Sequence, residues 1–344
     1  MTVPRAHSGL ALLADIGGTN VRFALAEPTA AVPLQGDSVR QYEVADFPNL
    51  HDAGLHYLAE IHAPQPATGV FAVAGRIDGD AARITNHPWV ISCRDTAAAL
   101  GLAQLHLVND FAAQAMAVEL LDGDDLVRLG GPDWRHPPAP HANFAVIGPG
   151  TGLGVSALIV RDGRGIALET EGGHVAFAPH GDEEVAVLKR LAARFERVSN
   201  ERLISGGGLV NIHRALCELD GATVMELRPR DITAAAASND PRARRALDMF
   251  CAVFGAVTGD LVLTLGAWDG AFLTGGLVPR LLPQLQASSF RARFEAKGRF
   301  ADAMSRVPTM AVVHPQAGLL GAAAFAAHDA HAMTGMHAGH DRAP

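Results

Sequence analysis

Two stretches of this chain share one plan, an apolar strand, a turn of small residues and a second apolar strand, and that repetition limits the fold more than any other feature. In the first, Leu10 to Ile16 meets Gly17-Gly18-Thr19-Asn20 and returns as Val21 to Leu25. Glycine admits the tight turn, so a hairpin is predicted. In the second, Phe144 to Ile147 meets Gly148-Pro-Gly-Thr-Gly-Leu-Gly154 and returns as Val155 to Val160. Gly17 to Leu25 and Gly150 to Leu158 share only the first glycine, the penultimate alanine and the final leucine. The order of elements therefore carries the argument for an internally repeated phosphate-binding fold, and 344 residues suffice for two cores.

Composition removes several classes of function. With 49% hydrophobic and 19% charged residues the chain reads as globular. A formal net charge of −8 lacks the basic footprint of a nucleic-acid or anionic-membrane binder. Cys93, Cys217 and Cys251 are odd in number and widely spaced, which argues against a disulfide framework or a zinc site and favours a reducing cytoplasm. Leu10-Ala-Leu-Leu13 is too short for a signal-peptide core or a membrane span.

Between and beyond the repeated units, strands are expected at Val39 to Val44 and Gly69 to Ala74, with a helix from Asn49 to Ile61 closed by Pro64 and Pro66. Ile84 to Ile91 reads as an extended, polar-tipped segment, and Asp95 as the cap of a short helix to Leu100. Leu105 to Val108 is an apolar strand feeding a helix from Phe111 to Leu121. Gly130 to His141, with prolines at 132, 137, 138 and 140 and few apolar residues, is the clearest loop, so the boundary between halves is expected near residues 120 to 142. Helical spacing follows at Glu183 to Phe195, Gly208 to Leu219, Asp240 to Leu265 and Gly318 to Ala327, with a buried strand at Ala271 to Leu273 meeting Thr274-Gly-Gly276. The histidine-rich stretch from His328 to Pro344 reads as a disordered end whose metal binding would be adventitious.

Phosphate oxygens need several donors at close range, and glycine turns present backbone N–H groups with no Cβ in the way. Asp15 stands just before the first turn, where a carboxylate can hold Mg²⁺ directly or through water, and Thr19 and Thr151 add hydroxyls. Neither turn is a Walker loop or a dinucleotide fingerprint. Singly each is an ordinary hairpin turn; together, with Thr274-Gly-Gly276 as a third, they suggest a nucleotide held between two halves. Asp110, delivered with Asn109 where a strand becomes a helix, can accept a proton from a substrate hydroxyl, although alone it would read as a helix N-terminal acid. Glu169-Thr-Glu-Gly-Gly-His174 lets Glu171 and His174 converge on a polyol, while the bland alternative is a charged surface turn. Glu201 reads first as a helix-start acid and Asn86 as a turn residue.

Taken together, Leu13-Ala-Asp-Ile-Gly-Gly-Thr-Asn-Val-Arg22, Thr85-Asn-His87, Val108-Asn-Asp-Phe111, Gly148 to Gly154, Glu171-Gly-Gly-His174, Glu201-Arg-Leu-Ile-Ser-Gly206 and Thr274-Gly-Gly-Leu-Val-Pro-Arg280 resemble the bacterial ATP-dependent glucokinases, the hexokinase-like group without the zinc motif, in order from about residue 10 to 330. The resemblance implies an α/β, two-domain fold shared by actin, Hsp70 and sugar kinases (ribonuclease H-like), with ATP and glucose in the interdomain cleft. It implies a small domain of residues 1–120 plus 315–332, a large domain of 121–314, and a flexible tail of 333–344.

Carried over residue by residue, the resemblance makes Asp110 the base for the sugar 6-hydroxyl, in the first step of glycolysis. Asn109, Glu171, His174 and Glu201 become hydroxyl partners, with Asn86 as their neighbour. Ala14, Asp15, Ile16, Gly17, Gly18 and Thr19 would wrap the ATP phosphates, with Asp15 facing the Mg²⁺ carried by ATP. Gly150, Thr151 and Gly152 would cover their other side, and Gly206 to Gly208 with Gly275 and Gly276 would approach the adenosine. Gly207 departs from the proline expected in relatives, and Leu129 to His141 is an insert of unassigned role. The resemblance also suggests a homodimer. A kinase for another hexose, a sugar-responsive regulator and a protein-binding ATPase stay open as rivals; the short N-terminus and acidic charge disfavour the regulator, and the lack of an extra domain disfavours the last.

Overall fold

In a computed structural model of the chain, the described residues are 8–338 except 63, 85 and 86. They form two compact units, one drawn from the described residues of Met1–Leu121, Asp162–Ala167 and Pro315–Pro344, the other from Asp122–Arg161 and Leu168–His314.

The first unit is built on β1 (Ser8–Ile16), β2 (Asn20–Ala26), β3 (Leu34–Glu43), α1 (Leu50–Glu60) and β4 (Pro66–Val73). A small sheet follows, β5 (Gly75–Asp78), β6 (Ala81–Ile84) and β7 (Val90–Ser92), then α2 (Cys93–Leu100), β8 (Gln104–Asn109) and α3 (Asp110–Ala117). The main sheet has the order β3-β2-β1-β4-β8, with the β1–β2 hairpin antiparallel and β1, β4 and β8 parallel.

Strand β1 is buried on both faces, which is why it reads as a continuous apolar run rather than an alternating one. Leu12, Ala14 and Ile16 join a core with Phe23, Phe71 and Tyr57, whereas Ala11 and Leu13 meet Ala24, Ala26 and Leu319, Ala322, Ala323 and Ala326 of the final helix. Alanine on both sides of that second interface lets the helix lie close to the sheet.

The second unit contains β9 (Leu126–Gly130), β10 (His141–Pro149), β11 (Leu153–Arg161), α4 (Gly181–Phe195), α5 (Gly206–Leu219), α6 (Pro229–Ala237), α7 (Pro241–Leu265) and β13 (Gly270–Leu273), and strand β12 (Arg164–Glu169) belongs to its sheet although residues 164–167 are counted with the first unit. Short helices α8 (Leu282–Ala287), α9 (Phe290–Glu295) and α10 (Ala301–Ser305) lead to β14 (Thr309–Val312). The sheet order is β12-β11-β10-β13-β14-β9. Helix α7 is long and apolar enough to cross a membrane by length and composition, but 72% of its apolar window is buried inside the protein, so it is a core helix. Its two internal glycines have a packing reason: a Cβ at Gly255 would lie 2.0 Å from the Phe290 carbonyl oxygen, and one at Gly259 2.5 Å from that of Phe294.

Three expectations need correction. The short helix to Leu100 is capped by Ser92, whose hydroxyl accepts the Asp95 N–H at 3.2 Å, so Asp95 sits inside the first turn rather than at the cap. The stretch from His328 is not an irregular end within the described residues. Helix α11 runs from Ala317 to Ala338, uninterrupted by proline, and His328 Nε2 reaches Glu119 Oε2 at 2.8 Å. The Leu129–His141 insert begins in β9, and its Trp134 ring packs edge-on against Phe144 and Phe272, with centroids at 5.2 and 4.9 Å.

Candidate functional site

In the first unit the strand register brings the chemical residues to one end of the sheet. Val73 of β4 is aligned with Ile16 of β1 on one side and Asn109 of β8 on the other. The glycine turn and Asp110 therefore both leave the carboxyl ends of parallel strands, two strand spacings or about 10 Å apart. That end of an open α/β sheet is where ligands bind. Gly17 N–H closes the turn on the Asn20 carbonyl at 2.9 Å, and Val44 N–H holds the Thr19 carbonyl at 2.9 Å.

Asp15 is cross-strand from Arg22, and Arg22 Nη1 lies 3.3 Å from Asp15 Oδ2. Arg22 is itself held by Gln41, which accepts from its Nε at 2.9 Å, while Gln41 donates to Asn20 Oδ1 at 3.2 Å. Burial pushes the Asp15 carboxyl above its ordinary range, and the charge and hydrogen bond of Arg22 oppose that rise. The carboxylate also meets Gly318 in the first turn of α11, where a Cβ would stand 2.9 Å from Asp15 Cγ. Arg22 was present in the sequence motif without a role; the cross-strand pairing imposed by a four-residue turn is the signal that would have assigned one.

Asn109 and Asp110 occupy a strand-to-helix junction. Asn109 is the cap of α3, its Oδ1 accepting from Phe111 N–H at 2.9 Å and Ala112 N–H at 3.1 Å, and Asp110 Oδ1 also accepts from Phe111 N–H at 3.0 Å. These bonds fix the direction in which the half-buried Asp110 carboxylate leaves the chain. Asn86 lies outside the described residues.

In the second unit the turn from Gly150 to Gly152 is closed by Gly150 N–H on the Gly152 carbonyl at 2.8 Å, and Gly206 N–H at the start of α5 donates to the Gly150 carbonyl at 2.9 Å. Ser205 caps α5 by accepting Gly208 N–H at 2.9 Å. Gly207 follows at the second position of α5, where the helix itself sets the backbone.

The parallel pairing of Ile147 with Leu273 sets Gly148 against the Thr274 carbonyl, where a Cβ would approach to 2.6 Å. Gly275 has φ +84° and would meet the Pro149 carbonyl at 2.8 Å. Only glycine suits either position. A Cβ at Gly276 would meet nothing within 4 Å, and Thr151 is exposed.

Leu153 ties this turn to the polar groups. Its N–H donates to Glu201 Oε2 at 3.0 Å, and its carbonyl would be struck at 2.0 Å by a Cβ on Gly173. Glu171 and His174 flank that glycine pair, with Glu171 Oε2 and His174 Nε2 3.9 Å apart and both side chains exposed. Asn200 N–H on the Val175 carbonyl, at 2.9 Å, joins the Glu201 turn to the His174 turn. The structure thus gathers Glu171, His174 and Glu201 with Gly150, Gly152, Gly206 and Gly275 in the second unit, and Asp15 to Thr19 with Asn109 and Asp110 in the first. Among the described residues no group of three or more His, Cys, Asp or Glu side chains could hold a metal ion.

The α/β architecture, with two sheets that agree in order over five strands, is that of the two-domain sugar kinases. The chain belongs to the glucokinase family: the family model described as Glucokinase matches residues 12–329. It is 62% identical over 323 residues to a glucokinase of Stenotrophomonas maltophilia (strain R551-3), covering 94% of this chain and 96% of the relative. It is 60% identical over 336 residues to one of Xanthomonas campestris pv. campestris (strain B100), covering 97% and 99%. Among solved structures, a glucokinase from an Antarctic psychrotroph superimposes with a TM-score of 0.82 at 33% identity, over 93% of this chain and 99% of that one. The fold also matches a ROK family glucokinase from Streptomyces griseus in complex with glucose and AMPPNP, with a TM-score of 0.61 at 19% identity over 92% and 99%.

Proposed function

We infer that this chain transfers the γ-phosphoryl group of ATP to the 6-hydroxyl of D-glucose, giving glucose 6-phosphate and ADP. The observation that carries this reading is the near-full-length identity of 62% to a glucokinase. The placement of Asp110 at the carboxyl end of β8 supports its role as the base. Asp110 takes the O6 proton as that oxygen attacks phosphorus, so negative charge need not build up on a free alkoxide.

Asn109 spends its carbonyl oxygen on the α3 cap, so its contact to a sugar hydroxyl falls to the amide N–H₂ group. Glu171, His174 and Glu201, with Asn86, take the remaining hydroxyls, and the Leu153 N–H orients the Glu201 carboxylate. Ala14 to Thr19 wrap the phosphates, Gly150 to Gly152 cover their other side, and Gly206, Gly275 and Gly276 approach the adenosine. Residues 1–120 plus 315–332 and residues 121–314 are the two lobes in this reading, and their closure excludes water as a competing acceptor.

The Asp15 side chain, 22% exposed and the acid of the phosphate turn, suits a Mg²⁺ that keeps waters and takes its other ligands from phosphates. The ion would neutralise charge on the transferred group. The cytoplasm fits three cysteines that form no disulfide, of which Cys217 and Cys251 are buried and the Cys251 thiol is pushed up to about 12 by desolvation. The active form is a homodimer in this reading, checked by light scattering across a concentration series.

A panel of hexoses against ATP and polyphosphate, with products identified by ³¹P NMR, tests the function. Glucose with ATP should give the 6-phosphate as the dominant product. Preference for another hexose, or no phosphorylated sugar, would overturn the reading.

A further inference from the structure

The final helix touches the chemical end of the first sheet through a residue with no side chain. A Cβ at Gly318 would lie 2.9 Å from Cγ and Oδ2 of Asp15 and 3.1 Å from Oδ1, and those are the three nearest atoms it would meet. Gly318 is buried in the first turn of α11 and has no left-handed φ, so nothing in its backbone calls for glycine. Helix propensity argues against glycine there, because alanine orders a helix at lower entropic cost.

The same carboxylate is also held by the Arg22 guanidinium, 3.3 Å from Oδ2, and Arg22 is held in turn by Gln41. We infer that Gly318 is a positioning residue for Asp15: its bare Cα sets how far the carboxylate can sit toward α11, and so where it faces the metal–phosphate unit of the nucleotide. This rests on the reading of Asp15 as the acid of the phosphate turn.

Gly321, one turn on, shows the contrast. A Cβ there would fall 1.7 Å from the Ala113 carbonyl oxygen, a backbone atom of α3 that cannot yield without moving the helix. Gly321 is a packing glycine. At Gly318 the obstructed atoms are the end of a movable side chain, so Gly318→Ala keeps the fold and displaces the carboxylate. A misplacement on the order of 1 Å near a reacting centre can cost about 100-fold in rate. The substitution should therefore separate stability from turnover, whereas simple structural damage lowers both.

The experiment compares wild type, Gly318→Ala and Asp15→Asn by kcat, by calorimetric Kd for Mg²⁺·ADP and for glucose, and by Tm. The expected result for Gly318→Ala is a Tm unchanged or raised by about 1–3 °C. Alongside it, kcat should fall about 10- to 100-fold, Mg²⁺·ADP binding should weaken ~5-fold and glucose Kd should stay within about twofold. Asp15→Asn should lose turnover as well. Wild-type kcat and Mg²⁺·ADP affinity in Gly318→Ala, with Asp15→Asn impaired, would overturn the positioning role while leaving the Asp15 reading standing. A lowered Tm with both ligands weakened alike, or failure to fold, would also overturn it by making Gly318 a packing residue like Gly321. Full turnover in Asp15→Asn would remove the reading of Asp15 and the inference with it.

Discussion

The β1–β2 and β10–β11 hairpins stand at the same place in two sheets that agree over five strands, three consecutive strands followed by two parallel ones, the second sheet adding antiparallel β9 at its edge. Their turns are furnished differently. The first is flanked by charge: Asp15 against Arg22, with Asp110 leaving the neighbouring end of β8. The second is flanked by close backbone: Gly148 against Thr274, Gly275 against Pro149 and Gly206 bonded to Gly150, with Glu201 anchored on Leu153. One frame occurs twice, furnished with charged side chains in one copy and with a tight backbone cradle in the other. Side-chain chemistry should therefore dominate mutational effects at the first hairpin, and steric room at the second.

The largest effect expected from this contrast is on turnover. Asp110→Asn removes the proposed base while keeping shape, and steady-state assays should show kcat down by about 10³-fold, a barrier increase of ~4 kcal/mol. Next comes Gly148→Ala, which forces a methyl against the Thr274 carbonyl. Urea unfolding should register a loss of about 2–3 kcal/mol, and an unchanged midpoint would break the comparison.

Glu201→Gln keeps an acceptor for the Leu153 N–H but discards the charge. The glucose KM should rise ~10-fold, about 1.4 kcal/mol, with a smaller change for ATP; equal changes would place Glu201 off the sugar. The smallest effect belongs to Gly17→Ala. The nearest atom to its Cβ would be the Asn20 carbonyl oxygen at an ordinary 3.5 Å, so stability should move by no more than about 0.5 kcal/mol.

Local features were the legible ones. The hairpins, the strand-to-helix junction at Asp110 and most helices follow from apolar periodicity and from glycine and proline punctuation, which act over a few residues. The duplication was visible as an order of elements, although only three of nine aligned residues agree.

What stayed hidden depends on pairing between distant segments. The requirement for glycine at 148 arises from β10 lying beside β13, more than a hundred residues later, and that at 321 from α11 resting on α3. Strand β14, four residues long and buried throughout, has neither the length nor the alternation that marks a strand. The capping oxygen of Ser92 was missed because Ser and Asp both serve as caps, and only the hydrogen bond distinguishes them.

The measurement closest to the central claim is a crystal structure of the chain with glucose and a non-hydrolysable ATP analogue. The account predicts an Asp110 carboxylate oxygen about 2.6–3.2 Å from the glucose O6, with that oxygen in line with the terminal phosphorus. An Asp110 side chain turned away from the sugar, with another group within hydrogen-bond reach of O6, would contradict it.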